Sequence, residues 1–293
     1  MSQLTFLPCT DSPAHARQCR DALNLPREQT AALGHSALEA IEQGHYRTAA
    51  GEQVDWAAAV AAAVAAKRSL PPDDALPAPS LSRFDRTRVQ VINETTLMAA
   101  RRLVDAGERV LALNFANGIH PGGGFLNGAR AQEEVLCRSS ALFATLRGDP
   151  MYAAHAQRPQ PDSSDWAILS PTVPVFRTDK GTSLDAPWTV DVLTGAAPYA
   201  PAIGQPAAGD LLQQRIERVL EIARAFDYSA LVLGAWGCGA FGNDPTRTAR
   251  DFKQALERHA GAFSEVVFAI VDWSAERRFL APFCAGLAQD DPA

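Results

Sequence analysis

Residues 121–134 read PGGGFLNGARAQEE, in which the run Gly122, Gly123 and Gly124 is followed by Gln132, Glu133 and Glu134. A glycine run lets backbone N–H groups converge on a ligand, most readily a phosphate. A carboxylate pair has a different use, in moving protons or holding hydroxyls. Side chains adjacent on a helix diverge by about 100°, so Glu133 and Glu134 do not flank one bond from both sides as paired glycosidase carboxylates do. One can face a reacting bond while the other holds a neighbouring hydroxyl. Acids in the first turn of a helix also have a plain structural explanation, since they suit the macrodipole. Gly123 and Gly128 have P-loop spacing, but Ala129 and Arg130 stand where a Lys and a Ser or Thr belong, which excludes a P-loop NTPase. A second loop, Gly237-Cys238-Gly239-Ala240-Phe241-Gly242, matches GxGxxG. With Asp272 after the next apolar run it admits a dinucleotide reading. Its place near the C-terminus and the late acid weaken that reading. Cys238 is a candidate thiol nucleophile, or a small residue in a tight loop.

Both glycine loops follow apolar runs, and the pattern around them defines the scaffold. Residues 1–80 are Ala-rich: helices are expected over 26–44 and 56–69, a hairpin over 46–55 and a Pro-rich linker over 71–80. From residue 88 strands and helices alternate. VQVIN (89–93), RVLALNF (109–115), WAILSP (166–171), VPVFR (173–177), TVDVLTG (189–195), ALVLGAW (230–236) and EVVFAIVD (265–272) read as strands. Helices are expected over 94–107, 133–146, 210–226, 245–259 and 274–283. Continuous apolar strands separated by helices indicate an α/β fold, a mostly parallel sheet covered on both faces. Ligands of such sheets bind beyond the carboxyl ends of the strands, which is where both glycine loops fall.

The 293 residues are 47% hydrophobic and carry a formal net charge of −6. That balance argues against charge-driven binding to duplex nucleic acid, so an anionic ligand would be held by local backbone amides. Five scattered cysteines without CxxC spacing are expected to be reduced thiols of a cytoplasmic protein. No HxxxH or HExxH pair supports a histidine-built metal site, no apolar run reaches membrane-spanning length, and the N-terminus has no signal-peptide pattern.

LNFANGIHPGGG resembles a macrodomain strand–loop, GGGFLNGARAQEE resembles the glycine-triplet and Gln-Glu-Glu motif of bacterial-type poly(ADP-ribose) glycohydrolases, and LVLGAWGCGAFGND resembles their diphosphate loop. ILSPTVPVFR, TVDVLTGAAP and REQTAALGHSALEAIEQGHY extend the likeness over most of residues 25–285. The resemblance implies a macrodomain-like mixed, mostly parallel sheet between helices (81–293), with an N-terminal helical extension (1–80) packed on it. It implies a monomeric enzyme of the DNA damage response that needs no cofactor or metal, binds ADP-ribose and poly(ADP-ribose), also on modified proteins, and hydrolyses ribose–ribose O-glycosidic bonds to release ADP-ribose. Glu134 takes the place of the catalytic acid/base and Glu133 of its partner on the ribose hydroxyls. Asn117 and Phe241 match the residues that bind and orient the distal ribose. Gly122, Gly123, Gly124 and Gln132 fall on the substrate motif, Gly237, Cys238, Gly239, Ala240 and Gly242 on the diphosphate loop, and Glu94 where macrodomains place an acid on the adenine amino group. AAPYA (196–200) departs from the pattern, with Tyr199 where an Asn is expected. Acid–base work by Glu134 calls for a raised proton affinity. A helix N-terminus opposes that, while the Glu133 charge and a bound diphosphate favour it. A non-catalytic ADP-ribose reader and a dinucleotide enzyme are the alternatives.

Overall fold

The computed structural model describes residues 3–78 and 83–288. In chain order its strands are β1 (Gln3–Phe6), β2 (His45–Arg47), β3 (Gln53–Asp55), β4 (Arg68–Leu70), β5 (Arg86–Ile92), β6 (Val110–Ala116), β7 (Ala167–Arg177), β8 (Ser183–Ala196), β9 (Ala230–Leu233) and β10 (Glu265–Ala269). The helices are α1 (Pro13–Leu23), α2 (Arg27–Gln43), α3 (Ala57–Ala66), α4 (Thr96–Asp105), α5 (Gln132–Ser139), α6 (Leu142–Leu146), α7 (Pro150–Ala156), α8 (Ala200–Ile203), α9 (Ala207–Ala225), α10 (Pro245–Arg258) and α11 (Leu280–Gly286). No helix among the described residues is long and apolar enough to cross a membrane.

Eight of the strands form one mixed sheet in the order β1-β5-β10-β9-β6-β8-β7-β4, and β2 and β3 pair separately as the expected hairpin. Pairing is parallel from β1 to β8 and antiparallel from β8 to β4. Alternate residues of β6 serve opposite faces: Leu111 and Leu113 join one apolar core, Val110 and Ala112 the other. The first core is closed by Leu212, Ile216 and Leu220 of α9, Phe252 of α10 and Phe283 of α11. The second is closed by Leu97 and Leu103 of α4, Leu136 of α5 and Leu142 of α6. Burial on both faces is why these strands read as continuous apolar runs.

The described part of the N-terminal extension, residues 3–78, is woven into this sheet. β1 and β4 supply its two outer strands, while α2 and α3 close a third core in which Trp56 and Phe176 pack with ring centroids 4.6 Å apart. The boundary expected at residue 80, and the end of the Pro-rich stretch, lie outside the described residues. α2 begins after Pro26 and ends at Gly44, whose left-handed φ of 74° closes the helix onto the Ala40 carbonyl.

Several elements differ from expectation. The helix expected over 133–146 breaks at Ser140: its hydroxyl donates to the Leu136 carbonyl and accepts from the Leu142 amide, ending one helix and starting the next. The strands expected over 166–171 and 173–177 are one strand with a bulge, where Thr172 takes a φ of 51° and its amide donates to Asp191. The expected helix 56–69 stops at Ala66 because Arg68–Leu70 pair with β7. The last helix is α11 rather than 274–283. β1, α1 and α7 are further elements that lie outside the expected strands and helices. The cysteine expectation is also corrected: Cys9 and Cys284, 275 residues apart, form a disulfide, while Cys19, Cys137 and Cys238 are free and buried. The pair is invisible as spacing because the loop after β1 meets α11 only in the fold.

α2 also braces the first glycine loop. Thr30 Oγ1 donates to the Gly128 carbonyl at 3.0 Å, Arg27 Nε to the Asn127 carbonyl at 2.9 Å, and a Cβ on Gly34 would overlap the Phe125 carbonyl. Gly34→Ala is therefore expected to cost about 1–3 kcal/mol by forcing α2 off the loop. Denaturant unfolding checks this, and a variant as stable as the parent would show that the contact relaxes freely.

Candidate active site

A cavity of about 690 Å³ lies over the carboxyl ends of the central parallel strands. Its wall runs from Thr95 and Thr96 after β5, through Ala269–Ser274 at the end of β10 and Ala235–Gly237 and Gly239–Phe241 after β9, to Phe115–Asn117 at the end of β6 and Ala197 after β8. The start of α5, residues 130–136, forms one side, and Leu23 at the end of α1 reaches it from the extension.

Glu133 and Glu134 are both buried in this wall, at 3% and 8% exposure. Glu133 Oε2 accepts from the Asn117 amide at 2.7 Å, and Oε1 from Asn114 Nδ2 at 3.4 Å. Burial pushes the Glu133 carboxyl up to about 8; the Asn117 amide opposes this and the charge of Glu134 adds to it. Glu134 Oε1 accepts from the Gly124 amide at 3.0 Å, whereas its Oε2 has no hydrogen-bond partner among the described residues. The two adjacent acids are thus held unequally. One is fixed at both oxygens, and the other keeps an oxygen free in the cavity wall.

The glycine triplet explains how the carboxylates can sit there. Gly123 has a left-handed φ of 57°, and a Cβ on it would overlap Glu134 Oε1 and stand 3.1 Å from Glu133 Oε2. Gly122, Gly123 and Gly124 do not belong to the cavity wall. Their bare backbone is packed on the acids. Gln132 is also spent structurally: Oε1 accepts from the Phe115 amide at 2.9 Å and Nε2 donates to the Leu113 carbonyl at 2.7 Å. β9 pairs with β6 only as far as Ala112, so the Gln132 carboxamide continues the ladder where the neighbouring strand has ended. Asn117 lines the cavity, and its Oδ1 is occupied by the amides of Ile119 and His120. Its Nδ2 is left as the donor for a ligand.

The second loop contributes Gly237, Gly239, Ala240 and Phe241 to the wall. Asn243 holds its base, donating from Nδ2 to the carbonyls of Pro198 and Gly237. The amides of Gly239, Ala240 and Phe241 make no hydrogen bond among the described residues, which leaves a cluster of donors suited to an anion. The following helix, α10, is capped by the Asp244 carboxylate, so its own N-terminus is already satisfied. Cys238 and Gly242 are not part of the cavity wall. The Cys238 thiol is buried and pushed up to about 12 by that burial, which removes it as a nucleophile. Glu94 does not reach the wall either, and its carboxylate pairs with Arg102 at 2.6 Å.

Sequence reading missed Asp179, Trp236, Trp273, Phe279, Arg130 and Leu23, all in the wall. Asp179 sits in a turn without any motif; burial raises its carboxyl, and Thr95 Oγ1 donates to it at 2.7 Å. Trp236 ends the apolar run 230–236, and the aromatic within the second loop is Phe241. Asp272 lines the cavity, but its oxygens accept from Ser274, Phe279 and Leu280 and so organise the approach to α11.

Residues 34–178 match the family described as microbial-type PARG, catalytic domain. Among solved structures, poly(ADP-ribose) glycohydrolase from Thermomonospora curvata superposes with a TM-score of 0.80 at 41% identity, covering 88% of this chain and 99% of that one. The same protein bound to the inhibitor ADP-HPD gives the same values. Poly(ADP-ribose) glycohydrolase from Deinococcus radiodurans in complex with ADP-ribose superposes with a TM-score of 0.72 at 41% identity, covering 78% of this chain and 96% of that one. A search of curated sequences gave no significant match.

The Glu133 shift has a consequence for stability. Below its ordinary value of 4.5 the carboxyl is protonated folded or unfolded and costs nothing. Between 4.5 and about 8 only the unfolded chain ionises, so native stability falls as pH rises, by up to about 1.4 kcal/mol per pH unit from this group. Glu133→Gln should therefore gain stability over the parent from pH 5 to pH 8 in urea unfolding. A difference that does not change with pH would refute the assignment.

Proposed function

The chain belongs to the microbial-type poly(ADP-ribose) glycohydrolases, glycosidases acting on poly(ADP-ribose), and we propose that Glu134 is the acid/base of that hydrolysis. The observation that carries this is that Glu134 belongs to the cavity wall and its Oε2 is buried with no hydrogen-bond partner among the described residues, while Oε1 is fixed by the Gly124 amide. Glu134 gives its proton to the 2′-oxygen of the departing adenosine unit as the bond from that oxygen to the anomeric carbon breaks and its electron pair goes to the oxygen. A water then adds to the anomeric carbon, and its proton passes to Glu134. The products are ADP-ribose with a free anomeric hydroxyl and a chain shorter by one unit.

The other residues bind and orient. Glu133, held by the Asn117 amide and by Asn114, takes a ribose hydroxyl, and Asn117 Nδ2 donates to the same sugar. The amides of Gly239, Ala240 and Phe241 receive the diphosphate, and the Phe241 ring packs on the distal ribose. Holding the sugar against Glu134 turns the reaction into an intramolecular one, which is where positioning contributes most. We also read the chain as a monomer acting in the cytoplasm on polymer made after DNA damage, with a net charge of −6 that suits it to a ligand held locally rather than to duplex DNA.

Glu134→Gln should lower release of ADP-ribose from automodified polymer by about 10²–10⁴-fold, with the ADP-ribose Kd by calorimetry changed only a few-fold. Turnover near that of the parent would sink the assignment.

A further inference from the structure

Four large apolar side chains among the described residues are exposed, and two of them adjoin the sugar end of the cavity. Ile119, 46% exposed, has its amide held by Asn117 Oδ1. Tyr199, 38% exposed, packs at 90° against Phe241 with ring centroids 5.8 Å apart. Phe241 belongs to the cavity wall and Tyr199 does not, so Tyr199 stands just outside the mouth. Its placement is rigid. Its amide donates to the Pro161 carbonyl at 3.0 Å, the next amide, Ala200, to the Phe241 carbonyl at 2.9 Å, and Asn243 Nδ2 to the preceding carbonyl, Pro198, at 2.9 Å.

With Glu134 as the acid, the bond that breaks joins a ribose inside the cavity to an adenosine outside it. A cavity of about 690 Å³ suits a single ADP-ribose unit, so the departing unit leaves past Asn117 and Phe241. The first aromatic surface beyond Phe241 is Tyr199. We propose that Tyr199 forms a subsite for the adenine of the departing adenosine unit, stacking on that base and fixing its 2′-oxygen in line with Glu134. The subsite selects polymer over ADP-ribose carrying a small aglycone. This inference rests on the Glu134 reading.

The test compares Tyr199→Leu, which keeps an apolar contact on Phe241 without an aromatic face, with Tyr199→Phe and the parent. The substrates are automodified poly(ADP-ribose) and an ADP-ribose glycoside with a small aliphatic leaving group. Tyr199→Leu is expected to lose about tenfold more kcat/KM on polymer than on the small glycoside, mainly through KM. Tyr199→Phe is expected to restore the polymer rate, and the ADP-ribose Kd to stay within about threefold. Equal losses on the two substrates would overturn the subsite and make Tyr199 a buttress for Phe241. So would a Tyr199→Phe variant as poor as Tyr199→Leu. A parent enzyme that cleaves neither substrate would instead remove the Glu134 reading, and the subsite with it.

Discussion

The structure is organised around the burial of two adjacent carboxylates at the start of α5. Taking even one such group out of water costs several kcal/mol unless hydrogen bonds replace the solvent. Here the replacement comes from backbone: the Asn117 amide on Glu133 and the Gly124 amide on Glu134. The chain carrying those amides must pass so close that no side chain fits, which is why Gly123 is bare and left-handed. The remaining contacts hold that approach from behind. Gln132 locks the start of α5 onto β6, and Thr30 and Arg27 of α2 hold the far side of the glycine turn. α2 is therefore structural support for the acid pair.

This separates the two glycine loops by task. Sequence reading assigned both to the substrate. In the structure the first loop faces inward, onto the acids, and the second presents free amides to the cavity. The second loop does so without help from the α10 dipole, because Asp244 caps that helix. The proposed anion recognition rests on the turn alone, with Asn243 fixing its base from within.

The parallel core, both loops, the acid pair and the α2 termini were all legible, because each rests on local rules: apolar runs, glycine spacing, first-turn acids and a Pro-to-Gly helix. What was not legible depends on residues far apart in sequence. The three residues of β4 become a strand only because β7 has an open edge, and Cys9 finds Cys284 only when the chain ends meet. Asp179 sits in an ordinary turn and matters only because β7 and β8 deliver that turn to Thr95. Ser140 shows a local rule passed over: a hydroxyl able to bond both back and forward along the chain splits an otherwise continuous helical pattern.

The sequence posed a conflict between a helix N-terminus, which favours ionised acids, and proton transfer, which needs a carboxyl able to keep its proton. The structure treats the two acids differently. Burial outweighs the dipole at Glu133, which stays neutral up to about 8. A neutral Glu133 removes the like-charge conflict that two adjacent buried carboxylates would otherwise impose on one helical turn. It is also the acid fixed at both oxygens, and hence suited to holding a hydroxyl still. Glu134 is then the sole acid at this turn with an oxygen uncommitted to the protein. The proton exchange proposed for Glu134 needs that freedom, whereas the hold on a sugar hydroxyl proposed for Glu133 does not.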